Sequence, residues 1–389
     1  MYWGGEGAWR WRAASAVRLV GVVGIVSGFP GIPGVLPGFG APAAARAARL
    51  ELPTDSIRVL VGDSAASVEV DGRKQTRPGR FRGPGPHEVD GRRYRGAVEL
   101  LRGPAGLRIV NELLLEDYVA GTVLGEISEQ WGDVVLRAQA IAARTYALHR
   151  RAHPRSTDFD LRATTADQVY LGIDGETPAV RAAVDATRGQ VLTYAGVPIL
   201  AAYHSAAGGR TASAEEVWGR PLPYLASVDV PGEEDSPDTY WRTRISSGAL
   251  GGALAAVGFE VGRVRDVAIL ARSTSGRVRT LRVRGSDGEV ELSADALRGA
   301  LGARRLRSTL FELRRSGADF VFVGSGNGHG VGMSQWGARA LALRGAGHRA
   351  ILAHFYPGTR LEHVPARVAI PGDVATFAAH SSPLDGVFP

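Results

Sequence analysis

Fifteen residues of this chain stand out for their chemistry: Gly324-Ser325-Gly326-Asn327-Gly328-His329-Gly330-Val331-Gly332-Met333-Ser334-Gln335-Trp336-Gly337-Ala338, six of them glycine. Such a run suits neither a packed helix nor a regular strand. Glycine costs backbone entropy and is kept where φ must be positive or another molecule must come close. His329, Ser334, Gln335 and Trp336 punctuate the run, and these types hydrogen-bond and stack against something polar and flat, such as a sugar. A buried glycine-rich turn around a structural His is the plain alternative. A nucleotide loop fits less well. Gly326-Asn327-Gly328-His329-Gly330 lacks both the Lys-Ser/Thr ending of a phosphate loop and the acidic ribose partner of a dinucleotide fold. Two further polar clusters lie far off in sequence: Glu126 with Arg144 and Tyr146, and Tyr203-His204-Ser205 running on to Gly208-Gly209-Arg210-Thr211.

The elements that must position these groups follow from periodicity and punctuation. Glu116-Asp117 opens a helical pattern reaching Glu126, since acidic residues favour a first turn. Ile127 to Gly132 interrupts it. Val134 to Arg150 is the clearest helix, with Val135, Ala138, Ile141, Ala142, Thr145 and Leu148 at three-to-four spacing on one buried face. Glu126 thus stands at a junction, where two helices can hold a carboxylate in a cleft. Val191 to Ala202 predicts a hairpin turning at Ala195-Gly196, just ahead of Tyr203. Helices are expected from Gln335 to Leu343 and from His348 to Phe355, the second stopped by Pro357-Gly358.

Upstream, Ile57 to Val61, Ser67 to Val70, Ala97 to Leu101 and Leu107 to Val110 read as strands, with a Gly/Pro/Arg-rich loop from Gly79 to Pro86. Val230 to Asp238 is rich in Pro and acids and looks like a linker. From Trp241 to Phe311 a short helix gives way to alternating strands around Ser286-Asp287-Gly288. The expected class is α+β: a helical catalytic core with β-hairpins, a small N-terminal β module and an inserted α+β module. The corresponding division is signal peptide 1–45, β module 50–110, core 111–229, inserted module 230–319, second core part 320–364 with the glycine-rich motif, and loose tail 365–389. Glu126 and His329 can serve one sugar only if the inserted module is an excursion that leaves the core and returns. Such a detour costs little closure entropy, and Glu126, Tyr203, Ser205 and His329 would then line one open groove.

At 389 residues, 44% hydrophobic and 22% charged, the composition is that of an ordinary globular protein of two or three domains. The absence of cysteine excludes disulfides, thiolate metal sites and cysteine nucleophiles. The net charge of +7 is almost wholly arginine, with Lys74 the only lysine. Without a run of five basic residues, nucleic acid is not an expected partner, while an anionic cell wall suits a basic surface. Arg10, Arg12 and Arg18, the apolar stretch Leu19 to Phe29 and the small-x-small pattern Ala41-Pro42-Ala43 form an export signal. Pro30, Pro33 and Pro37 suit that stretch poorly to spanning a bilayer. The expectation is an exported protein of the periplasm, wall or exterior, with an uncleaved signal anchor as the alternative.

Taken together, Leu115-Glu116-Asp117-Tyr118-Val119, Gly125-Glu126-Ile127, Arg137 to Ala147, Tyr203-His204-Ser205 with Gly208-Gly209-Arg210-Thr211, Gly328 to Ala338 and Phe355-Tyr356-Pro357-Gly358-Thr359 resemble the stage II sporulation protein D family, which includes the amidase enhancers. The resemblance covers roughly residues 55 to 364. It implies a peptidoglycan lytic transglycosylase that cleaves the bond between N-acetylmuramic acid and N-acetylglucosamine without water. The family's catalytic glutamate falls on Glu126, acting first as acid and then as base, with its pKa raised by partial desolvation. The resemblance further places Tyr146, Gln168, Tyr170, Tyr203, His204, Ser205, Gly209, His329, Ser334 and Gln335 as glycan-binding candidates. Arg144 would neutralise a muramic lactyl carboxylate or pair with a structural acid. A non-catalytic enhancer acting on a partner cell-wall amidase is the rival reading. Many members carry Cys, His and Cys, a zinc-like set, where this chain has Arg162, Ala166 and Asp167, so no metal or other cofactor is expected. Asn327 stands where members often have an aromatic residue.

Overall fold

A computed structural model describes residues 55–363, so the expected signal peptide and C-terminal tail lie outside the described residues. Five strands form the first sheet in the order Gly79–Phe81, Ala97–Gly103, Gly106–Leu114, Ser56–Ala65, Leu161–Arg162. All pairings are antiparallel except the last, where Val59 and Leu60 run parallel to Leu161 and Arg162. The Gly79 to Pro86 stretch, expected as a loop, therefore contributes an edge strand. A smaller sheet of Arg73–Gln75, Val68–Val70, His87–Val89 and Arg92–Tyr94 lies beside it in sequence. These strands alternate buried and exposed residues, as at Val68-Glu69-Val70, the mark of a half-buried sheet.

Helix α1 (Leu115–Glu126) follows directly, with Glu116 and Asp117 in its first turn. A 3-10 turn (Glu129–Trp131) separates it from α2 (Asp133–Ala152). The sequence predicted one buried face for α2, but nearly every side is buried from Ala138 to Leu148. The reason is its alanines. Ala138, Ala140, Ala142, Ala143 and Ala147 let neighbouring elements close in from all directions, making α2 the central rod of the core. Helix α3 (Pro178–Ala186) starts with Pro after the cap Thr177, whose hydroxyl accepts the Val180 N–H. The hairpin turns at Ala195 and Gly196, both at positive φ, as a two-residue turn requires. Its second strand is only Val197–Pro198, because proline has no N–H to continue the ladder. Arg360–His363 pairs with the hairpin's other edge, so the end of the described chain closes onto its middle.

Past the short helix α4 (Ala214–Trp218), the Val230 to Asp238 stretch is not the linker expected from its composition. Val230 is part of the main apolar core, and Glu233 and Asp238 are buried. The chain then enters a second apolar cluster, centred on Trp241, Leu250, Leu281, Leu297 and Phe322. Two three-stranded antiparallel sheets and the helices α5 (Ser247–Ala255) and α6 (Ala294–Leu301) enclose it. Strand Trp241–Ser246 leads in and the antiparallel neighbour Asp319–Gly324 leads out. The returning chain lays Met333–Ser334 parallel to Tyr203–His204, then forms α7 (Gln335–Leu343) and α8 (His348–Phe355). Among the described residues no helix is long and apolar enough to cross a membrane.

Candidate active site

Glu126 is the last residue of α1 and is half-buried. Its Oε1 accepts the Val169 N–H at 2.7 Å. That approach depends on Gly125, where a Cβ would collide with the Val169 carbonyl. Burial pushes the Glu126 pKa up from 4.5 to about 7, against the pull of the Val169 N–H, the Tyr203 hydroxyl and the Gln335 amide, all set towards the carboxylate. A carboxyl poised near neutrality can exist as acid or base at working pH.

The orientation of Tyr203 follows from a chain of donors. Tyr118 Oη donates to Gln168 Oε1 at 2.9 Å, which fixes the amide, and Gln168 Nε2 donates to Tyr203 Oη at 2.8 Å. Tyr203 Oη is thereby an acceptor from Gln168, which leaves its own proton for Glu126. Gln335 begins α7, capped by Ser334, whose Oγ accepts the Gly337 N–H at 3.1 Å. The Gln335 amide is set towards the Glu126 carboxylate, and its buried Nε2 has no other hydrogen-bond partner, so its donor capacity is left for that carboxylate.

Three side chains absent from the sequence-based set hold the loops around this centre. Glu233 Oε1 accepts the Ala207 N–H at 2.9 Å, and its Oε2 accepts those of Gly208 and Gly209 at 2.9 and 3.1 Å. The Ser334 hydroxyl also donates to Oε1, so one carboxylate ties the Tyr203 loop to the cap of α7. Successive N–H groups converging in this way form an anion nest. Glu233→Ala should therefore lower stability by about 2–3 kcal/mol through the donors it strands. The check is an earlier urea midpoint at unchanged slope, and an unmoved midpoint would show that the loop holds without the carboxylate. Asp238 accepts from Asn327 Nδ2 at 3.0 Å and from Arg307, anchoring the glycine-rich loop. Arg277 reaches in from the second cluster to the carbonyls of Ala207 and Arg210 at 2.7 and 3.0 Å. Gly330, at φ 82°, is glycine because a side chain there would strike that guanidinium. Only the run of glycines hinted at these anchors. An acidic Pro-Gly stretch is as typical of solvent-facing linkers as of clamps.

The sequence-predicted residues separate by place. Tyr203, Gln335 and Gln168 surround Glu126 directly or through one bond. Ser205 is half-buried, its carbonyl accepting the Trp336 N–H at 3.0 Å, and Gly209 is exposed. Ser334 is fully buried as the cap of α7. The His204 and His329 rings lie 5.5 Å apart with planes tilted by 56°, and Trp218 is 5.6 Å from His329. His204 Nδ1 bonds the Val331 carbonyl, and His329 Nδ1 accepts the Val331 N–H. Burial lowers both pKa values, that of His329 to about 4, so both rings are neutral braces of the glycine-rich loop.

Three further candidates also sit in the interior rather than at a surface a glycan can reach. Arg144 is fully buried and pairs with both Glu116 oxygens at 2.9 and 2.6 Å, the structural-acid alternative. Tyr170 is buried against Tyr94 and Tyr118, its hydroxyl on Asn111 at 2.9 Å. Tyr146 is buried with its hydroxyl on Asp167 at 3.0 Å. The same Asp167, its side chain 1% exposed, also pairs with Arg150 and Arg155 and accepts the Arg162 N–H. Cations and donors thus saturate Asp167, the only acid between Leu161 and Tyr170, and Arg162 and Ala166 offer no ligand, so these residues do not fit zinc. EDTA should leave the melting temperature unchanged; a fall reversed by zinc would contradict this arrangement.

Comparison with known proteins places the chain in a family. A profile described as Stage II sporulation protein matches residues 104–194, which include Glu126, and one described as a domain of unknown function (DUF8618) matches residues 232–332. An uncharacterized protein of Brachyspira hyodysenteriae is 32% identical over 273 residues, 69% of this chain and 72% of that protein. The amidase enhancer of Bacillus subtilis is 30% identical over 286 residues, 62% of this chain but only 40% of that protein. Stage II sporulation protein D of Bacillus amyloliquefaciens is 34% identical over 270 residues, 64% of this chain and 74% of that protein. With most of a stage II sporulation protein D matched at that identity, this chain belongs to the stage II sporulation protein D and amidase-enhancer family.

Proposed function

We propose that the chain is an exported peptidoglycan lytic transglycosylase with Glu126 as its single catalytic carboxyl group. The observation that carries the reading is the half-buried Glu126 carboxyl at the end of α1, held by the Val169 N–H at 2.7 Å with Tyr203 and Gln335 set towards it, where burial pushes its pKa up to about 7. None of the groups set against it is a carboxylate, whereas a hydrolytic glycosidase needs a second acid to activate water or act as nucleophile. In the proposed reaction the Glu126 carboxyl gives its proton to the glycosidic oxygen. The bond from that oxygen to C1 of the muramic sugar breaks, and its electron pair leaves with the glucosamine as a hydroxyl. The 6-hydroxyl oxygen of the same muramic sugar then bonds to C1, and its proton returns to the Glu126 carboxylate. The products are a 1,6-anhydro-muramic end and a free 4-hydroxyl, with no water consumed and the enzyme restored. Tyr203 and Gln335 stabilise the carboxylate between the two steps by donating to it.

The test is to incubate purified protein with glycan strands stripped of stem peptides and to seek anhydro-muramic ends by mass spectrometry. Binding without such ends would favour the second reading, a non-catalytic wall-binding enhancer of a partner amidase. The similarity to a protein named amidase enhancer supports that alternative.

A further inference from the structure

The two segments that meet at Glu126 also bring two indoles together. Trp131 ends the 3-10 turn after α1, and Trp336 follows Gln335 in the first turn of α7. Their ring centroids lie 4.8 Å apart with planes at 56°. The Arg339 guanidinium is 5.2 Å from the Trp336 ring centre and is held by Asp235 at 3.0 Å. Both indoles are half-buried. Trp131 rests on the main apolar core, whereas Trp336 leans on Trp131 and lies outside the set of side chains packed on that core.

Burial in the core therefore does not account for Trp336. A large flat ring kept partly in water, braced by a second indole and a salt-bridged cation, is a rigid apolar surface beside polar groups. A pyranose ring is the matching shape, since it offers a face of C–H groups to the indole and a rim of hydroxyls to polar neighbours. We propose that Trp131 and Trp336 form a stacking platform for a pyranose of the glycan strand, next to the linkage that faces Glu126. This rests on the glycan-cleaving reading above. Gln335 and Trp336 are consecutive in α7, so the group facing the carboxylate and the platform move as one body. Trp131, five positions beyond Glu126, ties that body to the end of α1. A sugar seated on the platform would thus be registered against the acid by two short covalent spans, the kind of positioning that places a scissile bond.

The experiment measures binding of short glycan fragments by calorimetry in a Glu126→Gln background, so that cleavage does not intervene. Trp336→Leu keeps apolar bulk but removes the flat face, and should weaken binding about tenfold. Trp336→Phe keeps a smaller flat face and should stay within about threefold of the parent. Parental affinity in the Leu variant, with or without a lowered melting temperature, would make the indole pair a structural staple and overturn the platform. If the Glu126→Gln parent itself binds no glycan, the substrate reading fails and the platform falls with it. Binding by the parent with no effect of the Leu change overturns the platform alone.

Discussion

Glu126→Gln should slow glycan cleavage by about two to four orders of magnitude while leaving glycan binding in place, because the amide keeps the shape but has no proton to give or take. Anhydro-muramic ends counted by mass spectrometry provide the rate; wild-type release by the variant would remove Glu126 from the chemistry. With the wild-type acid titrating at about 7, kcat/KM should fall as pH rises through that value. The same carboxyl makes a separate claim on stability. Its ordinary pKa of 4.5 applies when the chain unfolds, and burial raises it to about 7 in the fold. Its contribution is therefore fully present below pH 4.5 and is lost as pH rises through 7. The loss is on the order of 2–3 kcal/mol, trimmed by the solvent that still reaches a half-buried group. The Gln variant should accordingly melt above the wild type at pH 8 and close to it at pH 4. A variant that melts lower at pH 8 would mean that the ionised carboxylate is not penalised. Stability gained at the expense of activity is the usual exchange at a functional site.

Arg144→Ala should cost about 3–5 kcal/mol, because it leaves the Glu116 carboxylate facing the interior without its partner. The side chains of Arg144 and Glu116 are 1% and 16% exposed, so solvent offers little compensation. Arg144 also donates to the carbonyls of Gln190 and Val184 at 3.2 and 3.4 Å, linking α2 to α3 and the hairpin. Lysine cannot reproduce the two-pronged contact, and Arg144→Lys should recover only part of the loss. Thermal or urea unfolding measures both. Full stability with loss of glycan binding would instead return Arg144 to the substrate.

The sequence disclosed elements whose signals are local. Helices α7 and α8 lie where the Ser334 cap and the Pro357-Gly358 stop place them, and the hairpin turns at Ala195-Gly196 as its φ preferences require. Glu126 at a helix junction was legible for the same reason. What stayed hidden depends on partners distant along the chain. Nothing near Arg144 announces Glu116, 28 residues away, nor does anything near Ala207 announce Glu233, 26 residues away. The acids of Val230 to Asp238 read as a linker because composition does not say which way a side chain faces, yet Glu233 and Asp238 are buried. The resemblance places His329 with the glycan-binding set, yet both of its ring nitrogens serve the backbone, one at the Val331 N–H and the other at Tyr203. Tyr170 shows the converse, since a motif tyrosine can be a core residue whose hydroxyl is satisfied internally.

The parallel pairing of Tyr203–His204 with Met333–Ser334 has a consequence for the order of events in a chain that emerges N-terminus first. Glu126 and its bond to Val169 can form early, but Gln335, Trp336 and the cap of α7 arrive only after the whole excursion from Trp241 to Gly324 has passed. Until then the acid lacks the neighbour that faces it, and the Glu233 carboxylate lacks Ser334. A half-delivered or truncated chain is thus an unassembled one. The arrangement around Glu126 is complete only when nearly all of the described protein is present, so a chain still being synthesised does not yet carry it.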